Sequence, residues 1–162
     1  GTLSMQELCR LLALVFVATF APVNWAQTVT AETLLAFGSF APGTGTGTVT
    51  LSATGVRSKT GAVRLVSSGP GSAASFTLTG KGKQKNYIAR DPSATCTTMS
   101  AGGGRQMNVR NFTSSPVAFG VKGSLDSNKM ATLKVGGTVD VANNQPRGLY
   151  ECSFDLIVDF YN

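Results

Sequence analysis

Histidine is absent from all 162 residues. That absence removes the commonest general base, the usual metal ligand, and the Ser-His and Cys-His forms of nucleophilic catalysis. Charged residues make up only 14% of the chain and cysteine occurs three times, too few for a metal centre built from cysteine alone. No apolar run is long enough to span a bilayer as a helix, and beyond residue 26 none follows helical spacing. What the chain has instead is glycine, 19 residues of it, together with abundant threonine in short alternating runs. An all-β fold in one domain is the class that this composition and length predict.

The net charge of +6 is spread over many turns, and only Lys81, Lys83 and Lys85 cluster, in a GKGKQK stretch read as a solvated hairpin tip. We therefore expect no nucleic-acid partner. Residues 11–20, LLALVFVATF, follow Arg10 and have the length and place of a signal-peptide core. Residues 1–26 read as a signal peptide with upstream residues and 27–162 as a single domain, with cleavage after Ala26. A cut after Ala21 and an uncleaved anchor are the alternatives. The expected localisation is outside the cytoplasm. Cys9 would leave with the signal. The remaining pair, Cys96 and Cys152, reads as one disulfide in an oxidising compartment, against the alternative of two buried free thiols.

The clearest periodicity lies in residues 148–162, GLYECSFDLIVDFYN. Tyr150, Cys152, Phe154, Leu156, Val158 and Phe160 share one parity, and Glu151, Asp155 and Asp159 the other. This predicts one half-buried strand with an apolar core face and an acidic outer face. Ile157 and Tyr161 break the pattern, which suggests that the outer face is covered in part near the carboxyl end, or that a neighbouring chain packs there. Upstream, strands are expected at 29–37, 48–53, 62–67, 73–79, 86–90, 106–112, 117–121, 130–135 and 138–141. GVRSKTG reads as a connection, and Gly136-Gly137 as a bulge or bend within a longer strand. Some eight to ten short strands at this spacing predict a sandwich.

Chemistry finds little to build on. Asp155 and Asp159 are four positions apart on one strand face, about 13 Å along an extended chain, too far for an acid–base pair. Gly102 to Gly104 with Arg105 resemble a phosphate cradle only superficially, since no helix follows. The chain reads as a protein that is not an enzyme, with no catalytic residues, cofactor, metal or small-molecule substrate.

Several blocks carry a resemblance. Phe37-Gly38, then Gly55 with Arg57, then Gly136 to Thr138, then Gly148, Tyr150, Phe154, Val158 and Tyr161 match in order and spacing an uncharacterised pilin-like family of secreted bacterial domains, the domain of unknown function 4402 type. The resemblance covers almost all of the chain after residue 26. It implies an immunoglobulin-like β-sandwich related to chaperone-usher fimbrial subunits. The function it implies is that of a structural subunit of a surface fibre, assembled by strand complementation. Its partners would be other fibre subunits or further copies of itself, with a periplasmic chaperone and an outer-membrane usher. In that reading residues 27–33 are the donor segment, with Val29 and Ala31 as its apolar pegs. The last strand, with Tyr150, Phe154, Leu156, Val158 and Phe160, borders the groove. Two pegs are few for a donor, so self-completion of the sheet, or a fibre-end position that accepts without donating, stays open. A self-contained, adhesin-like binding module is the alternative function.

Overall fold

The computed structural model describes residues 10–13, 27–94 and 97–162. Among them the chain is all-β. Its strands are β1 (Arg10–Ala13), β2 (Thr28–Thr33), β3 (Leu35–Ala36), β4 (Phe40–Ala41), β5 (Gly47–Leu51), β6 (Arg57–Gly61), β7 (Arg64–Leu65) and β8 (Ala74–Thr79). They continue with β9 (Asn86–Ala89), β10 (Thr98–Ser100), β11 (Gln106–Ser115), β12 (Lys122–Ser124), β13 (Met130–Val141), β14 (Glu151–Phe154) and β15 (Val158–Tyr161). A large sheet runs β2-β8-β13-β11-β10-β14-β1-β3, with β5 and β6 added beside β13, and faces a three-stranded sheet β12-β9-β15. A two-stranded ribbon, β4-β7, completes the set. The fold is sandwich-like. Because β2 and β3 are separated only by Leu34 yet stand at opposite ends of the large sheet's order, that sheet must curl back on itself.

β13 organises the large sheet. It is a single strand that pairs with β8 through Met130–Val135 and with β5 through Gly137–Val141, while β11 holds its other edge. The change of partner falls at Gly136-Gly137, where the sequence reading placed a bulge or bend. A Cβ at Gly136 would stand 2.2 Å from the Leu51 carbonyl oxygen, so only glycine lets β5 approach there. The core is apolar: Phe37, Phe76, Leu78, Leu133, Val135 and Phe154 are all essentially inaccessible.

The structure corrects several sequence expectations. Residues 148–162 are two strands, not one: β14 belongs to the large sheet and β15 pairs with β9 in the small one. The alternation survives because the chain stays extended as it crosses, with Leu156 buried and the Ile157 carbonyl accepting from the Arg90 N–H. GVRSKTG contains β6, an edge strand exposed along most of its length, which needs no apolar parity. Residues 29–37 divide into β2 and β3. Residues 117–121 form a turn at Gly120, φ 77°, and the strand follows at β12. The lysine-bearing turn after β8 is a crossing between sheets and not a hairpin tip.

Two polar side chains that reach inward have opposite fates. Arg57 reaches inward, and its guanidinium donates to the carbonyls of Phe37 (3.1 Å), Ser39 (2.9 Å) and Val66 (2.7 Å). Two blocks of the sequence pattern, Phe37-Gly38 and Arg57, thus meet in space, and desolvation lowers the guanidinium pKa. Tyr87 is fully buried with its ring against Gly123, and its hydroxyl has no hydrogen-bond partner among the described residues. Burial raises its pKa above the ordinary 10.0. The unfolded chain therefore ionises this phenol first, so its contribution is intact below pH 10 and is lost as pH rises further. Tyr87→Phe is expected to leave stability at neutral pH unchanged or to raise it by about 1 kcal/mol. It should also flatten the alkaline limb of a pH series of chemical denaturation curves.

Candidate strand-accepting site

The carboxyl-terminal strand of the large sheet is thinly held. β14 touches β10 through a single register pair, Ser100↔Glu151. Its other edge carries β1, in parallel, through Arg10↔Glu151, Leu11↔Cys152, Leu12↔Ser153 and Ala13↔Phe154. β1 in turn pairs antiparallel with β3 through Arg10↔Ala36 and Leu11↔Leu35. β1 is thus the strand that joins β14 to β3, and it comes from the run that the sequence reading assigned to a signal core. Without it the backbone groups of both strands facing the gap would lose their partners.

The side chains around this gap are sorted by depth. Phe154 and Leu35 are buried, Cys152 is partly buried against the core, and Glu151 and Ser153 face solvent. Phe154 closes the floor, with its ring edge-on to Phe76 at 6.1 Å and tilted against Phe112 at 5.5 Å. Tyr150, just before β14, is fully buried. Its hydroxyl donates to the Pro146 carbonyl and accepts from Gln145 Nε2 at 2.9 Å, the local geometry of a tyrosine corner. Leu156 and Val158 are also buried, and Phe160 packs partly buried against the same core.

Other residues singled out by sequence take the following places. Val29 and Ala31 lie on β2, which is hydrogen-bonded to this chain's own β8 at Val29↔Leu78 and Ala31↔Phe76. Val29 is buried and Ala31 exposed. Cys152 is disulfide-bonded; Cys9 and Cys96 lie outside the described residues, and so does the pairing Cys96 to Cys152. Asp159 is held by Arg90 at 2.9 Å in an exposed pair. Arg105 is spent on its own loop, donating to the carbonyls of Gly102, Ala101 and Arg147, which leaves its guanidinium unsuited to cradle an anion. Sequence reasoning missed β1. Its apolar run suits a leader and a strand equally, and pairing partners leave no local trace.

No curated protein and no solved structure matches the chain. A family model matches residues 28–160, from the start of β2 into β15, which spans both sheets and the edge beside β14. The chain belongs to the family described as Domain of unknown function (DUF4402).

Proposed function

We propose that the protein is a structural subunit of a bacterial surface fibre, assembled by strand complementation at the edge between β14 and β3. The observation that carries this reading is β1, an extended segment seated between two strands that otherwise do not meet. In this reading the signal is cut after Ala26, β1 leaves with it, and the opened edge takes a strand from a chaperone and later from a neighbouring subunit. Main-chain hydrogen bonds supply the affinity in such strand addition, and alternate side chains supply the selectivity. The other two ends of the large sheet are poor substitutes. β2 shows threonine and glutamate to solvent and β6 serine, lysine and threonine, the polar character that discourages edge pairing.

With β2 engaged on its own β8, the subunit accepts a strand more readily than it gives one, which fits a place at a fibre end. Light scattering on residues 27–162 and on the full chain separates the outcomes. The reading predicts that the shorter protein self-associates, or binds a co-expressed chaperone, while the full chain stays monomeric. Two equally monodisperse monomers that ignore the chaperone would refute it.

A further inference from the structure

We infer that the cleft at the open end of the β5-β6 hairpin is a carbohydrate-binding site for a neutral, polyhydroxylated ligand. The cleft has a volume of about 600 Å³, within the range of small-ligand sites. Its polar wall is a row across four strands. Thr48 of β5 pairs with Thr60 of β6 on one side and with Asp140 of β13 on the other. Asn108 of β11 follows, one residue beyond the Val109↔Val139 pair. Cross-strand neighbours share a face, and strands lie about 4.8 Å apart, so the row presents hydroxyl, hydroxyl, carboxylate and amide over roughly 14 Å.

The row is ordered in advance. The Thr48 and Thr60 hydroxyls are hydrogen-bonded at 2.7 Å. Arg110 Nε holds both Asp140 carboxylate oxygens at 3.0 Å, which fixes the carboxylate plane and offsets its charge while leaving further acceptor positions. Behind the row, buried Gln145 braces the wall. It accepts from the Ala142 N–H at 3.1 Å and donates to the Gln106 carbonyl at 2.9 Å. Gln145 is a positioning residue, with its amide already committed.

The chemistry of the wall selects the ligand class. Among the described residues the lining contains no lysine or arginine and no aromatic ring, which disfavours phosphate, other anions and flat apolar molecules. A fixed carboxylate flanked by an amide and two hydroxyls suits adjacent hydroxyl groups that each donate and accept. A sugar presents such groups at close spacing without charge.

The test uses saturation-transfer NMR on the full chain with mannose, galactose, glucose, N-acetylglucosamine, lactose and cellobiose as probes. At least one is expected to bind at millimolar concentration or better. Asn108→Ala and Asp140→Ala should each weaken it by about tenfold or more, the cost of losing one charged or well-formed hydrogen bond, and Lys83→Ala should leave it unchanged. Melting curves on each variant identify any that merely unfold; Thr60→Val then serves as the milder probe of the same row. Silence across all six sugars overturns the inference. So does binding that the folded row variants leave intact, or binding that inorganic phosphate displaces.

Discussion

Phe154→Ala is expected to cost about 3–5 kcal/mol of unfolding free energy. The side chain is fully buried and touches Phe76 on β8 and Phe112 on β11, so its loss removes apolar burial and two aromatic contacts at once. The two rings around it have little means of collapse, since Phe76 and Phe112 come from strands that β13 holds in register. Asp159→Asn in the neighbouring β15 is the matched control. Its pair with Arg90 is more than half exposed on both sides and should be worth no more than about 0.5 kcal/mol. Denaturant titrations of both variants check the contrast; equal losses would place the core elsewhere.

Removing the disulfide should cost nearly as much. Cys152 is bonded, and pairing with Cys96 would close a loop of about 55 residues, for which the chain-entropy account gives roughly 4 kcal/mol. Cys152→Ala and Cys96→Ala are each expected to lower stability by that order, and the double variant by no more than either alone. Cys9→Ala should change nothing. If Cys9→Ala is the damaging substitution and Cys96→Ala is silent, the bridge joins β14 to the amino-terminal segment instead. Non-reducing peptide mapping reads the same answer directly.

Where one face of a strand meets the core, the sequence carries the signal. The alternation in β8 and in Tyr150, Phe154, Leu156 and Val158 matches their burial residue for residue. The glycine pair at 136–137 likewise marked the point where β13 changes partner. What could not be read was pairing. β6 is exposed through Ser58–Gly61 and has no apolar parity to detect. The break between β14 and β15 hides because an extended crossing keeps period two, and the split of β2 from β3 turns on a single residue, Leu34. The polar row of Thr60, Thr48, Asp140 and Asn108 is assembled from three distant segments by register alone, and a one-residue slip in any strand would turn its member to the other face.

The central claim, that the edge between β14 and β3 accepts a strand, is tested most directly by amide hydrogen exchange. The measurement is made on residues 27–162, with and without a peptide spanning residues 8–16. The account predicts fast exchange on the open edge of Glu151–Phe154 and at Leu35 in the protein alone, and marked protection of those amides when the peptide is present, while Ala36, whose N–H donates to the Ser72 carbonyl, stays protected in both. Exchange that is already slow without the peptide and unchanged by it would contradict the account.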